Sequence, residues 1–202
     1  LLKPAPVEPA KARPVRPSEP SFDVVTPRPA QAAASGHAME RGRLAHRLFE
    51  VLPALPPETR QITARRVMQN HPHLPKDDAE QVLDEVLQVM TAPALERLFL
   101  PDALAEVPVN GVVAGVGVAG QIDRLQVDET SVVFADFKTG TRGGGDAPLS
   151  YQRQMALYAA LLEQIYPSHR IEGWLVWTEA ASSELVTAAQ RVAALRDFGE
   201  ND

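Results

Sequence analysis

The stretch that decides the fold is VVFADFKTG, residues 132 to 140. It begins with β-branched and aromatic residues, which are typical of a strand packed in a core. It then places Asp136 and Lys138 two residues apart, so both side chains lie on one face at the end of the strand. Taken alone, such a pair favours a partly solvated ion pair, and a chemical role depends on which other groups lie nearby.

Alternating apolar residues and turn signals predict a sheet around this strand. Two strands precede it, a long helix follows it, and a fourth strand comes after the helix; in order these are residues 105–115, 118–127, 149–167 and 170–178. After Glu184 the pattern does not separate a strand from a helix. A three-stranded meander followed by a helix and a returning strand predicts a small mixed sheet with helices packed on it, an α/β fold.

The chain before this sheet is predicted to be helical. Apolar residues recur with a 3.6-residue period between residues 38 and 103, as in Leu44, Leu48 and Leu52. Pro57 and Pro75 precede acidic residues and are typical helix-start signals. We therefore expect an N-terminal helical subdomain over residues 38–103 and a sheet-and-helix part over residues 104–180, within one folded unit spanning residues 38–202.

The first 37 residues have a different composition. Eight of the 18 prolines lie in residues 1–40, with no apolar period between them. Such a segment cannot bury enough apolar surface to offset the entropy lost on ordering. We predict a disordered proline-rich tail over residues 1–37, and because the chain does not begin with Met we expect it to be a piece of a longer protein.

Charge and cysteine content exclude several function classes. The net charge of −6 argues against an isolated nucleic-acid binder, because phosphate neutralisation requires basic groups or bound cations. The 202-residue chain has no cysteine, which excludes disulfides, thiolate zinc sites and cysteine-ligated iron–sulfur clusters. It has no run of 18 apolar residues, so no membrane span is expected.

Two motifs match the patterns of a dinucleotide-binding site and of a separate metal site, but the sequence around each motif argues against that function. GVGVAG, residues 115–120, matches the dinucleotide-binding pattern G-x-G-x-x-G, but a short alternating segment follows it where a helix is required. We interpret it as a glycine-rich hairpin. His71 and His73, close to Asp77 and Asp78, could form a metal site, but a proline-broken loop before a helix is the simpler interpretation.

A second acid is expected beside Asp136. Asp123 lies in GQIDRL on the preceding strand, and pairing of the two strands would bring Asp123 and Asp136 together. Neighbouring carboxylates repel one another unless one is protonated or a cation lies between them. Oxygen ligands suit Mg²⁺ or Mn²⁺, and Lys138 could then reach an attacking water or a phosphate oxygen.

Three further features complete the set. His46 follows Gly42 by four residues on the apolar side of the first helix, and Glu106 lies just ahead of the first strand. Gln154 and Tyr158 are four residues apart, so they share one face of the long helix. Each has an ordinary structural interpretation on its own: a core or cap histidine, a strand-edge charge and an amphipathic stripe.

In this order the motifs resemble the RecB-like branch of the PD-(D/E)xK nucleases, over about residues 38–180. GQIDRL, ADFKTG and YQRQMALYAALL are most similar to the C-terminal nuclease domains of the AddA family, which belong to bacterial helicase–nucleases that resect double-strand breaks for recombination. The resemblance implies a restriction-endonuclease-like fold, a mixed central sheet flanked by helices. It also implies a proline-rich tether to an ATP-dependent helicase, an AddB-like partner subunit and a nucleoid-associated place in the bacterial cytoplasm.

The resemblance implies roles for individual residues as well. The expected metal ligands are His46, Asp123, Asp136 and the main-chain carbonyl of Phe137, with Glu106 supporting them. Lys138 would orient or activate the attacking water, and Gln154 and Tyr158 would position the phosphodiester. The expected cofactor is Mg²⁺, with Mn²⁺ as an alternative, and the substrate is single-stranded DNA delivered by the helicase. The absence of cysteines separates this chain from relatives that carry an iron–sulfur cluster.

One alternative from another class stays open. The domain could be a catalytically silent module that docks on a partner subunit or holds DNA. An acidic surface on a proline-rich tether is compatible with that function too.

Overall fold

The computed structural model describes residues 14–17, 29–140, 144–196 and 198, and for residues 29–35 the main chain alone. The first half of the chain is helical. It comprises helices α1, α2 and α3 and a 3₁₀ helix, at Pro29–Val51, Pro57–Met68, Lys76–Met90 and Pro93–Phe99. Pro57 occupies the first turn of α2, where its missing N–H leaves no hydrogen bond unmade.

The second half of the chain forms a five-stranded sheet with strand order β1-β2-β3-β4-β5. The strands are Leu104–Val113, Val116–Val127, Ser131–Lys138, Arg170–Trp177 and Ser182–Val186. Helix α4, Leu149–Ile165, connects β3 to β4, which pair in parallel, and the other neighbours pair antiparallel. Helix α5, Ala188–Ala194, ends the fold. The predicted mixed sheet flanked by helices is confirmed.

Strand β3 lies between two hydrophobic cores. Val133, Ala135 and Phe137 pack against α1, α3 and the 3₁₀ helix on one face of the sheet. Val132 and Phe134 pack against α4 on the other face. Because both faces are covered, the whole strand up to Lys138 is buried, and this rigid position holds the charged residues at its end.

Two features depart from the expected tail and helical boundaries. Helix α1 begins at Pro29, earlier than the start predicted at residue 38, because the alanine-rich segment after Pro29 has a high helix propensity. Val15 is bonded to β2: its N–H donates to Gly117 O at 2.7 Å, and the N–H of Ala119 donates to Val15 O at 2.9 Å. Residues 1–13 and 18–28 of the expected disordered tail lie outside the described residues.

The segments that the sequence left undecided are now assigned. The residues after Glu184 finish strand β5 and form α5, whose Thr187 and Gln190 make a reciprocal N-terminal capping box. GVGVAG lies in the β1–β2 hairpin, as predicted. The hairpin turns at Ala114 and Gly115, which both have positive φ, as a two-residue hairpin loop requires.

Candidate functional site

The charged residues of β2 and β3 meet where the pairing of these two strands ends. Arg124 pairs with Ala135, so Asp123 and Asp136 lie opposite one another at the next position. Asp123 Oδ2 accepts a hydrogen bond of 2.7 Å from the main-chain N–H of Phe137. Sheet register therefore brings the two acids together, and the main chain of β3 fixes the orientation of the Asp123 carboxylate.

Helix α1 and strand β1 each add one group beside Asp123. His46 Nδ1 lies 3.4 Å from Asp123 Oδ1 and 3.8 Å from Glu106 Oε1. The ligand atoms of these three residues all lie within 4.8 Å of one another, and within the described residues this is the group able to share a metal ion. We call His46, Glu106 and Asp123 the acidic cluster.

The charge state of His46 follows from this cluster. Burial disfavours the imidazolium, but hydrogen bonding and Coulomb attraction from Asp123 and Glu106 outweigh it and raise the pKa of His46 to about 10. In the absence of a cation, His46 therefore carries one positive charge beside the two carboxylates of the cluster. A metal ion at this position would replace that proton.

Asp136 is buried on the α4 side of the cluster. Its Oδ1 accepts a 2.6 Å hydrogen bond from Gln154 Nε2, and its Oδ2 lies 2.6 Å from Lys138 Nζ. Burial raises the pKa of the Asp136 carboxyl, and the Lys138 ammonium offsets this only in part. Burial alone would lower the pKa of Lys138, but the Asp136 carboxylate outweighs it and raises that pKa.

Gln154 and Tyr158, the two helix α4 residues expected at the site, are both buried. Gln154 Oε1 accepts from Lys138 Nζ at 2.8 Å, so one amide contacts both members of the pair. Tyr158 is fully buried, and its phenol oxygen accepts from Gln154 Nε2 at 3.4 Å and from the Gln121 N–H at 3.3 Å. Of the two residues expected to position the phosphodiester, Gln154 thus contacts Asp136 and Lys138, and Tyr158 contacts Gln154.

The structure adds residues that the sequence analysis did not single out. The ring of Tyr151 lies 4.3 Å from Lys138 Nζ, as in a cation–π contact. Tyr151 precedes Gln154 by three residues, so helical periodicity could have identified it. Arg124 is buried and donates to Leu98 O at 2.9 Å, which ties β2 to the 3₁₀ helix. No pattern in the sequence pointed to that long-range contact.

In the described structure, His71 and His73 do not form a metal site with the nearby acids Asp77 and Asp78. His71 Nδ1 lies 3.4 Å from Glu40 Oε2, and Asp78 contacts His37 instead, at 2.8 Å. His73 is exposed. This arrangement agrees with the loop interpretation of residues 71–73.

The donor set fits a hard divalent cation. Two carboxylates and one imidazole share the acidic cluster, and oxygen-rich sets of this kind suit Mg²⁺ or Mn²⁺. Asp136 Oδ2 is buried, and its partner among the described residues is the Lys138 ammonium, 2.6 Å away. A carboxylate oxygen accepts more than one partner, so this oxygen can also contact a cation that lies between Asp123 and Asp136.

Comparison with known proteins now identifies the family. The family model described as the PD-(D/E)XK nuclease superfamily matches residues 24–197, most of the chain. The chain belongs to the PD-(D/E)XK nuclease superfamily. Its mixed five-stranded sheet with flanking helices is the restriction-endonuclease-like fold expected of a PD-(D/E)XK protein.

The chain also has these relations to curated proteins and to solved structures. No curated protein matches the chain. The crystal structure of SSO0001 is similar, with 15% sequence identity, a TM-score of 0.34 and coverage of 76% of this chain and 72% of that chain. In the described part of this PD-(D/E)XK chain, no helix is both long enough and apolar enough to cross a membrane.

Proposed function

We propose that this PD-(D/E)XK chain is the metal-dependent DNA nuclease domain of an AddA-type helicase–nuclease, hydrolysing phosphodiester bonds in single strands. The observation that carries the proposal is that the acidic cluster meets the buried pair Asp136 and Lys138 where the pairing of β2 with β3 ends. Membership of the superfamily supports a metal-dependent nuclease, and DNA is the corresponding substrate.

The residues that would hold the cation are His46, Asp123, Asp136 and the carbonyl of Phe137. Glu106 lies as close to His46 and Asp123 as a ligand would, so we place it in the cluster itself instead of behind it. A bound Mg²⁺, or Mn²⁺ as an alternative, would make water acidic enough to attack near neutral pH and would offset charge on the scissile phosphate.

The residues around Lys138 determine what this side chain can do. Its raised pKa keeps Nζ protonated near neutral pH, so Lys138 acts as an ammonium that orients water and stabilises charge developing on the phosphate. Gln154 holds both Asp136 and Lys138, and Tyr158 holds Gln154. We therefore assign Gln154 and Tyr158 as positioning residues.

The larger assembly is proposed from the resemblance to AddA-type nucleases, and the charge and composition of the chain are compatible with it. The net charge of the chain is −6, so we propose that helicase domains and an AddB-like subunit supply the basic surface that guides a DNA strand. The proline-rich residues before α1 would tether the nuclease domain to the helicase. The corresponding location is the bacterial cytoplasm, near the nucleoid.

The proposal is tested with labelled single-stranded DNA and MgCl₂ or MnCl₂ at low salt. Wild-type protein should cut the strand, and Asp136→Asn should cut at least about 100-fold more slowly, because the buried acid loses its charge. Glu129→Gln, an exposed acid outside the site, is the matched control. Equal cutting by wild type and Asp136→Asn would reject the proposed nuclease site.

The acidic surface also supports a second candidate, a catalytically silent module that docks on a partner subunit or holds DNA. The two functions differ in their need for a cation. A silent module would bind neither Mg²⁺ nor Mn²⁺ when DNA is present, whereas the nuclease must bind one of them. Calorimetric titration of the chain with each ion therefore separates them.

A further inference from the structure

Glu106 has a strained main-chain conformation at the acidic cluster. Its φ is 52°, in the left-handed region that residues other than glycine rarely adopt. Its neighbours keep regular register, since Ala105 pairs with Arg124 and Val107 pairs with Ile122. The strain is therefore confined to the one position of β1 that lies opposite Asp123, and strain of this kind persists where surrounding contacts hold it.

Gln121 supplies such contacts to Glu106. Its side-chain Nε2 donates to Glu106 Oε2 at 2.7 Å and to the Glu106 main-chain oxygen at 3.3 Å. One amide thus binds both the carboxylate and the main chain of the strained residue. Gln121 is itself fixed from α4, because its main-chain N–H donates to the buried phenol oxygen of Tyr158.

The chemistry of a glutamine side chain suits this task. Its amide donates hydrogen bonds without a charge, so it holds the Glu106 carboxylate without neutralising the negative potential that attracts a cation. With Oε2 bound to Gln121, the other oxygen, Oε1, is directed to His46 at 3.8 Å. The Glu106 side chain is 31% exposed, so without this amide it could rotate into solvent.

We infer that Gln121 is a positioning residue that holds Glu106 in its left-handed conformation, with the Glu106 carboxylate directed toward the other two members of the acidic cluster, His46 and Asp123. The inference rests on the proposed metal-dependent function and extends it by one residue outside the ligand set. Groups that orient ligands in this way typically change metal affinity by about 10- to 100-fold when removed.

The test is calorimetric titration of the 202-residue chain with MnCl₂ alone. Gln121→Ala should weaken Mn²⁺ binding by about tenfold, the lower end of that range because Gln121 is exposed. Gln164→Ala is the matched control, since Gln164 is also exposed and donates to a main-chain oxygen, Val112 O, on another part of the sheet. Gln164→Ala should change the affinity less than twofold.

Repeating the Gln121→Ala substitution in a Glu106→Gly variant separates a positioning role of Gln121 from a general loss of structure. Glu106→Gly removes the carboxylate and adopts the left-handed conformation without strain. If Gln121 acts through Glu106, adding Gln121→Ala to Glu106→Gly should leave Mn²⁺ affinity unchanged. A further tenfold loss in the double variant would overturn the inference.

The inference and the proposed function fail in different ways. If wild-type protein binds Mn²⁺ and Gln121→Ala binds it equally well, the role of Gln121 is rejected while the metal site stands. If wild-type protein binds no Mn²⁺, the proposed function is rejected, and the role of Gln121 is rejected with it.

Discussion

Gly120 faces the ring of Tyr158 so closely that a Cβ atom at position 120 would lie 2.5 Å from the phenol oxygen. Gly120 and Tyr158 therefore pack directly against one another, although Gly120 lies on β2 and Tyr158 lies on α4. Tyr158 in turn contacts Gln154, which holds Asp136 and Lys138. A change at Gly120 should reach the ion pair through these contacts.

Gly120→Ala is the first prediction. The added methyl group must displace a fully buried ring, so we expect a loss of about 1–3 kcal/mol in the free energy of unfolding. Urea titration measures it. Gly144→Ala is the control, because a Cβ there meets no atom within 4 Å. Equal stability of the two variants would show that Tyr158 does not pack on Gly120.

Tyr151 should affect the rate of DNA cutting through Lys138. Tyr151→Phe keeps the ring over the ammonium and should retain activity within about twofold. Tyr151→Leu removes the ring, and loss of a partly buried cation–π contact of about 1–2 kcal/mol predicts a rate roughly 5- to 30-fold lower. The measurement is the cutting rate of single-stranded DNA by both variants. A Leu variant as active as the Phe variant would exclude this role for the ring.

Elements that depend on local sequence patterns were predicted better than elements that depend on contacts between residues far apart in the chain. Strands β1–β4 and helix α4 were predicted, because local periodicity reports which face is buried. The start of α1 was predicted too far along the chain, because the prolines of residues 1–29 were given more weight than the alanine-rich segment that follows them. The end of the chain was undecided because β5 is short and its packing against β4 is a tertiary contact.

Within the candidate site, the sequence predicted which residues lie together better than it predicted how their side chains are oriented. Strand register was enough to predict that Asp123 and Asp136 approach one another. The burial of Gln154 and Tyr158 depends on how closely α4 packs on β2, which no local pattern contains. The left-handed conformation of Glu106 depends on Gln121 across the hairpin, and the docking of Val15 on β2 is a long-range pairing of the same kind.

Acid stability should depend on Asp128 in the β2–β3 turn. The N–H groups of Thr130 and Ser131 donate to its Oδ1 and lower its pKa from 3.8 to about 2. A depressed carboxyl pKa contributes stability that is present above the unfolded value and is lost as the pH falls through the folded value. Asp128→Asn should therefore be less stable than wild type at pH 6, with the difference disappearing as the pH approaches 2.

Urea unfolding of wild type and Asp128→Asn between pH 2 and pH 6 measures this difference. Glu129→Gln changes the adjacent charge and should show no such trend. A gap between wild type and Asp128→Asn that stays constant over the whole range would mean that the ionised carboxylate is not the stabilising group.

Metal binding should release a proton from His46. Its pKa of about 10 means that the metal-free protein holds the imidazolium at pH 7.5, whereas a ligand imidazole is neutral. The raised pKa contributes stability to the metal-free fold that is present below pH 6.5 and is lost as the pH rises through about 10. Mn²⁺ affinity should accordingly increase with pH from 7 to 10.

Calorimetry in buffers of different ionisation enthalpy measures the released protons. Wild type and His73→Gln, a variant of an exposed histidine, should each release about one proton per Mn²⁺ bound. His46→Gln should release almost none. Equal proton release by His46→Gln and wild type would place the titrating group elsewhere.

The central claim is that His46, Asp123, Asp136 and Glu106 surround one divalent cation. Anomalous diffraction from crystals of the chain soaked in MnCl₂ tests it most directly. We predict an anomalous peak about 2.0–2.3 Å from His46 Nδ1 and from oxygens of Asp123 and Asp136. A soaked crystal with Mn²⁺ bound elsewhere and no peak between these residues would contradict the account.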